Sequence, residues 1–122
     1  MQPSTSSFQP PPRWTPPEVL FGLGDAAISE LVDVFLANTG RYLAHMEELL
    51  ARADFAGVKT QAHKIKGGAC QMGASSMTGL CLQIEDSALT ASPSDLRRLI
   101  DQLRSAFTDV GIDMAAFSGV EQ

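Results

Sequence analysis

The sequence lacks several features, and each absence argues against a class of protein. Its 122 residues include 1 Trp and 1 Tyr, and 7% of them are aromatic, which argues against an aromatic-rich β-sandwich. No run approaches the roughly 18 apolar residues of a transmembrane helix. The N-terminus lacks the charged start and apolar centre of a signal peptide. We therefore expect a cytoplasmic protein that does not enter the membrane.

Basic residues and cysteines are also scarce. There are 9 Lys and Arg residues against 14 Asp and Glu, for a formal net charge of -5, so the surface lacks the basic footprint that nucleic acids and anionic membranes require. Cys70 and Cys81 show no metal-ligand spacing, and we expect both to be reduced and mostly packed. The sequence thus predicts no nucleic-acid partner, no metal site and no bound cofactor.

The chain length allows a single domain. Residues 1–14 are rich in Pro, Ser and Gln, which predicts a flexible tail. We predict the folded domain over residues 15–117, opening with a short helix that Thr15 caps and that Gly22 and Gly24 stop after Phe21. The initial methionine and the tail favour a free-standing protein.

From Asp25 onward, apolar residues recur at helical spacing in four segments. Asp25 is the predicted cap of the first, which forms one long helix or two, with a weak point at residues 38–40. Asp54 is the predicted cap of the second segment, and Gly73 ends it. The third follows Ser75, and the last begins at residues 92–93 with a Ser-Pro cap. We predict an all-α fold: an antiparallel four-helix bundle with an extra short N-terminal helix and a C-terminal helix.

The second segment carries an exposed histidine in an unusual setting. At about 100° per residue, His63 lies roughly 140° from the buried stripe centred on Ile65 and Ala69, so it faces solvent. Gly67 and Gly68 follow, although each glycine costs a helix about 1 kcal/mol relative to alanine. The missing side chain at Gly67 would let another protein approach the imidazole closely. The other members of this exposed strip are Lys59, Lys66 and Cys70, with Lys64 at its flank.

These residue types suit phosphoryl transfer. A neutral imidazole offers a lone pair that can attack phosphorus, and Lys66, at i+3 from His63, supplies a cation to offset phosphate charge. Phosphoryl transfer depends mainly on positioning and charge stabilisation, so His63 needs little further apparatus if a partner brings the rest. His45 has no adjacent glycine or paired lysine, and we predict that it is an ordinary surface residue.

The run Ala62-His63-x-x-Lys66-Gly67, followed by Gly73-Ala74, resembles the signature of the histidine-containing phosphotransfer (HPt) domain family. Further matches to the family pattern are Phe35-Leu36, Asp54 and the segment from Leu80 to Glu85, which resembles its cysteine-x-x-leucine-glutamate motif. The resemblance covers residues 18–110. Departures are Ile65 and Met77, where leucine is usual, and Lys64, where a small or polar residue is commoner.

The resemblance implies a phosphorelay carrier. His63 would accept a phosphoryl group from a phospho-aspartyl receiver domain or a hybrid histidine kinase, and pass it to a response-regulator aspartate. Mg²⁺ is expected on the partner receiver domain. By the same resemblance Lys66 assists the phosphate and Gly67 clears the approach, while the remaining docking residues are Lys59, Lys64, Cys70 and Gln71. We expect the carrier to be a monomer.

Three other functions can be compared with the carrier. The sequence has no nucleotide-binding loop, so it predicts a phosphocarrier that is not itself an enzyme. A metal-carboxylate bundle would need Glu-x-x-His pairs facing the core, and neither histidine has one. The alternative that stays open is an adaptor bundle that docks receiver domains without being phosphorylated. An acid-labile phosphate would distinguish the carrier from the adaptor.

Overall fold

A computed structural model describes residues 14–119, which are helical with no strand among them. A 3-10 helix, Glu18–Leu23, precedes four α-helices: α1 (Asp25–Ala51), α2 (Phe55–Gln71), α3 (Ser75–Ser87) and α4 (Pro93–Gly119). Helix α2 packs between α1 and α3, and α4 closes the bundle against α3 and α1. The predicted all-α four-helix bundle is confirmed, and the predicted C-terminal helix is its fourth member, α4.

Helix α1 is continuous, with no break at residues 38–40. Asn38 and Gly40 have low helix propensity, but Thr39 between them is buried, as are Phe35 and Leu43 on either side. Burial of this face outweighs the local cost, because most helix stability in proteins comes from tertiary packing.

Two predicted N-caps are wrong and two are confirmed. Thr15 lies outside the 3-10 helix, whose cap is Pro17, and Asp25 is the first residue of α1 rather than its cap. In contrast, Asp54 accepts a hydrogen bond from the Gly57 amide at 2.9 Å. At α4, the Ser92 hydroxyl accepts one from the Asp95 amide at 3.1 Å. A side-chain cap of this kind stabilises a helix by about 1 kcal/mol.

The end of α2 is also set locally. The helix stops at Gln71, and Gly73, with φ +73°, turns the chain toward α3. This left-handed conformation favours glycine because it carries no Cβ. With both ends defined, α2 holds His63 near its middle.

The predicted apolar stripes form one core. Burying each large apolar side chain contributes about 1.5–3 kcal/mol. The fully buried residues include Val32, Leu43 and Met46 of α1, Val58, Ala62, Ile65 and Ala69 of α2, Met77, Cys81 and Ile84 of α3, and Leu96, Ile100, Leu103 and Val110 of α4. Helix α4 continues beyond the predicted stripe and also buries Met114.

Trp14 corrects the predicted domain boundary. It was assigned to the tail, yet it is 4% exposed, and its indole Nε1 donates a hydrogen bond to the Met72 carbonyl at 2.6 Å. Its ring also meets Phe117 edge-on at a centroid distance of 6.1 Å. The packed domain therefore includes Trp14, because a buried indole with its N–H satisfied is a stable core element. The rest of the predicted tail, residues 1–13, lies outside the described residues.

Candidate functional site

His63, Lys66 and Glu85 form a three-residue cluster between α2 and α3. The His63 side chain is 71% exposed, and its Nδ1 lies 2.7 Å from Oε2 of Glu85. Lys66, one turn along α2, places its Nζ 2.6 Å from Oε1 of the same carboxylate. Glu85 thus uses one oxygen for each basic side chain and joins them.

The packing of α3 places Glu85 at this point. Cys81 and Ile84, one turn and one residue earlier, are buried in the core, which turns Glu85 toward the edge of α2 and leaves its side chain 12% exposed. Glu85 is not among the site residues that the sequence predicts, because helical-wheel geometry relates residues within one helix and Glu85 is 22 positions from His63. The signal that could have found it was the glutamate of the resembling motif.

The carboxylate of Glu85 is ionised, and contacts with Lys66 and His63 stabilise its negative charge. Burial favours the neutral form of Glu85, but hydrogen bonds from Lys66 and His63 outweigh it and lower the pKa of Glu85. The hydrogen bond to Glu85 correspondingly raises the pKa of Lys66. Lys66 and Glu85 are therefore a charged pair at neutral pH.

This pair decides which imidazole nitrogen of His63 can react. An ionised carboxylate only accepts hydrogen bonds, so Nδ1 of His63 carries the proton and donates a hydrogen bond to Glu85. In the neutral ring, Nε2 then holds an unprotonated lone pair. Since the side chain is mostly exposed, Nε2 is the nitrogen available to an incoming group.

The paired glycines have different surroundings. A Cβ at Gly67 would meet nothing within 4 Å, whereas a Cβ at Gly68 would lie 3.4 Å from the Phe35 ring of α1. Gly68 therefore lies at the contact with α1, while Gly67 leaves the surface beside His63 open. Packing within the bundle therefore does not require a glycine at position 67.

The structure places the other predicted site residues on two sides of His63. Lys59 and Lys64 are exposed, and the Lys64 ammonium lies 5.7 Å from the ring centroid of Tyr42 on α1. Gln71 is exposed and, with Lys64, lines a groove between α1 and α2. Lys66 instead faces α3.

One of the two predictions made for Cys70 is wrong. The expectation of two mostly packed cysteines is wrong, since Cys81 is buried but Cys70 is exposed. Cys70 lies two turns from His63 on the same face of α2, as helical geometry predicted.

Burial raises the pKa of the Cys81 thiol to about 12, so Cys81 is an inert core residue. His45 is exposed, as predicted.

Two kinds of feature are absent from residues 14–119. No group of three or more His, Cys, Asp or Glu side chains there could hold a metal ion. None of the described helices is both long and apolar enough to span a membrane.

Comparisons with known proteins place this chain in a family. The Hpt domain family matches residues 30–110, a stretch that contains His63, Lys66 and Glu85. The crystal structure of histidine-containing phosphotransfer protein B from Pseudomonas aeruginosa PAO1 is similar, with a TM-score of 0.71 and 27% identity over 75% of this chain and 79% of that one. A putative histidine-containing phosphotransfer protein from rice shares the fold, with a TM-score of 0.74 and 23% identity over 78% of this chain and 71% of that one. Among curated proteins, none matches significantly. The chain belongs to the Hpt domain family, whose members are phosphorelay carriers.

Proposed function

We propose that this protein carries phosphoryl groups on Nε2 of His63, from a phospho-aspartyl receiver domain or a kinase to the aspartate of a response regulator. One observation carries the assignment to this atom: Glu85 holds Nδ1 of His63 at 2.7 Å while the imidazole stays 71% exposed. The family establishes the class of function, and this contact supports the choice of residue and nitrogen.

The transfer step follows from the geometry. The lone pair on Nε2 attacks phosphorus, an N–P bond forms, and the P–O bond to the donor aspartate breaks with its electron pair leaving on the carboxylate. The Nδ1 proton stays in place, so the ring becomes a phosphorylated imidazolium. Glu85 lies against the side of the ring where this positive charge develops, and it stabilises the product electrostatically. In the return step an acceptor carboxylate attacks phosphorus, and the imidazole leaves neutral.

Lys66 acts both on Glu85 and on the phosphoryl group. Its contact with Glu85 at 2.6 Å keeps that carboxylate ionised and oriented toward His63. An ammonium has three donors, so Lys66 can hold Glu85 and still donate to a phosphoryl oxygen. This retains the phosphate-assisting role implied by the resemblance and adds a positioning role that the sequence did not indicate.

The partner supplies the remaining parts. The open surface at Gly67 would admit a receiver domain, with Lys59, Lys64, Cys70 and Gln71 around the contact. We propose that the acidic centre and Mg²⁺ reside on the receiver, so that the carrier contributes the nucleophile, Glu85 and Lys66. In this scheme receiver domains and kinases are the partners with which the protein exchanges phosphoryl groups in the relay.

The experiment that tests the proposal is labelling by a panel of phosphorylated receiver domains. We expect an acid-labile, alkali-stable phosphate on His63, and none on His63→Gln. The adaptor alternative predicts that a receiver binds the wild type and His63→Gln equally while neither becomes labelled. That result, or a label found on His45, would contradict the carrier assignment.

A further inference from the structure

A groove adjoins His63 on the α1 side. It has a volume of about 210 Å³ and lies between α1 and α2, and the residues from α1 that line it include Leu31, Val34, Phe35 and Tyr42. Val34 is 57% exposed. Lys64 and Gly68, which directly follow His63 and Gly67 in sequence, line its other wall. The groove thus begins one residue along α2 from His63 and from Gly67.

The charge around His63 is opposite to that of the whole chain. The chain has a net charge of -5, yet its three lysines, Lys59, Lys64 and Lys66, all lie within four residues of His63. Helix α2 contains no Asp or Glu. The residues that line the groove include no charged side chain other than Lys64.

These lysines differ in whether their charge is compensated. Lys66 is paired with Glu85 at 2.6 Å, so it contributes little net charge to the surface. In contrast, no carboxylate in residues 14–119 forms an ion pair with Lys59 or Lys64. The arginines of α4 do have carboxylate neighbours, since Arg97 pairs closely with Glu47 and Arg98 lies 3.6 Å from Asp95. The uncompensated charge on the α2 face is therefore positive and comes from Lys59 and Lys64.

We propose that the α1–α2 groove and Lys59 and Lys64 select the partner, and that this partner is a receiver domain with an acidic rim. An apolar side chain of the receiver fills the groove over Val34, and carboxylates beside it contact Lys64 and Lys59. Charge complementarity of this kind governs the association rate and the choice of partner more than the final affinity. The inference rests on the carrier function proposed above and names the chemistry of its partner.

Lys64 is central to the proposal because it belongs to both parts of the surface. It lines the groove, and its position above the Tyr42 ring at 5.7 Å orders an otherwise mobile side chain through a cation–π contact. Ordering before binding reduces the entropy that association must remove. The ammonium is thus held at the edge of the groove, where a carboxylate on the partner would meet it.

The charge is tested by Lys64→Glu, with Arg98→Glu as control. Arg98 is 61% exposed on α4 and only loosely paired, at 3.6 Å from Asp95. Transfer to each variant is measured from the phosphorylated receiver domain that labels the wild-type protein fastest, across a salt series. We expect Lys64→Glu to slow transfer about tenfold at low salt, with the difference vanishing near 0.5 M NaCl, where charges are screened within about 4 Å. Arg98→Glu should stay within about twofold of wild type.

The apolar part of the groove is tested by a second variant with its own matched control. Val34 and Ile112 are 57% and 56% exposed, so Val34→Glu and Ile112→Glu add the same charge at equal exposure, one in the groove and one on α4. Val34→Glu should slow transfer from the receiver about tenfold, and Ile112→Glu should not.

A second phosphodonor separates this inference from the proposed function. Phosphoramidate is too small to use a docking surface, so it should label His63 in Lys64→Glu and Val34→Glu at close to the wild-type rate. If neither donor labels His63, the carrier function itself is wrong. If the receiver labels Lys64→Glu as fast as Arg98→Glu at low salt, the acidic-partner inference is overturned while the carrier function stands.

Discussion

Two glutamates in this bundle each bridge a pair of basic side chains, with different results. Glu47 on α1 accepts hydrogen bonds from Nη1 and Nη2 of Arg97 on α4, at 2.7 and 2.8 Å, and also one from Arg104. Glu85 on α3 receives Nδ1 of His63 and the ammonium of Lys66. Both carboxylates have lowered pKa values because hydrogen bonds from their partners outweigh the effect of burial.

The difference between the clusters lies in their partners. A guanidinium remains protonated throughout the ordinary pH range, and its planar fork matches a carboxylate in a bidentate contact. The Glu47 cluster therefore ties α1 to α4 and leaves no group able to react. An imidazole bound through one nitrogen keeps the other available. The same carboxylate chemistry thus gives a structural ion-pair cluster at Glu47 and a reactive site at Glu85.

Replacing His63 should have the largest effect. His63→Gln is expected to abolish phosphate uptake completely while leaving helical circular dichroism and the melting temperature near wild type, since a side chain 71% exposed contributes little packing. His45→Gln is the control and should be labelled normally. Labelling that persists in His63→Gln and is lost in His45→Gln would mean that the exposed imidazole of His63 is not the acceptor.

The two glutamates should separate activity from stability. Glu85→Gln removes the charge that stabilises the developing imidazolium, and we expect transfer to slow about 10- to 100-fold, by analogy with carboxylates that orient metal-bound histidines. Asp86→Asn, on the adjacent exposed residue, should change the rate little. Glu47→Gln should leave the rate unchanged. Equal loss of transfer in Glu47→Gln and Glu85→Gln would remove the distinction drawn between the clusters.

Lys66→Ala should have a smaller effect on the same reaction, slowing transfer about tenfold, because the ammonium holds Glu85 and contacts the phosphoryl group. Lys66→Arg should keep part of the rate, since the charge remains while its geometry changes. With phosphoramidate as donor, Lys64→Ala serves as control because Lys64 faces Tyr42 rather than Glu85. If Lys64→Ala is as slow as Lys66→Ala with this donor, net local charge explains the effect better than helical geometry does.

The Glu47 cluster should make a pH-dependent contribution to the free energy of unfolding. Hydrogen bonding to Arg97, opposed by burial, lowers the pKa of Glu47 from 4.5 to about 2. The unfolded chain therefore binds a proton at higher pH than the folded one, so the stability that Glu47 contributes is fully present above about pH 4.5 and is lost as pH falls toward 2. Since the side chain is partly exposed, we expect about 1–2 kcal/mol at neutral pH.

Urea unfolding of Glu47→Gln across this pH range is the measurement. The variant should be less stable than wild type at pH 7, and the two should converge as the solution becomes acidic. Glu48→Gln, on the exposed neighbouring residue, should follow wild type throughout. A constant difference between wild type and Glu47→Gln down to the lowest pH would show that the lost contribution is packing rather than charge.

The comparison also shows what the sequence could predict. His63, Lys66 and Gly67 lie on one helix, so a fixed angle per residue was enough to place them on one exposed face. Glu85 comes from another helix, and its contact depends on how α3 packs on α2, which periodicity does not specify. Trp14 was misassigned for a related reason, since its burial depends on Met72 and Phe117, which are distant in sequence. Local chemistry was predictable, whereas contacts between elements required the assembled bundle.

Gly67 should give the smallest effect on stability and a graded effect on docking. A Cβ there meets nothing within 4 Å, so Gly67→Ala should raise the free energy of unfolding by up to about 1 kcal/mol, through the higher helix propensity of alanine. Gly79 of α3 is equally open, and Gly79→Ala should give a similar gain, which identifies the effect as propensity. Transfer separates the two positions. Gly67→Gln should slow transfer from a receiver much more than Gly67→Ala does, because the longer side chain lies where the partner approaches His63, while Gly79→Gln should not. If Gly67→Gln transfers as fast as Gly79→Gln, the open surface beside His63 is not where the partner docks.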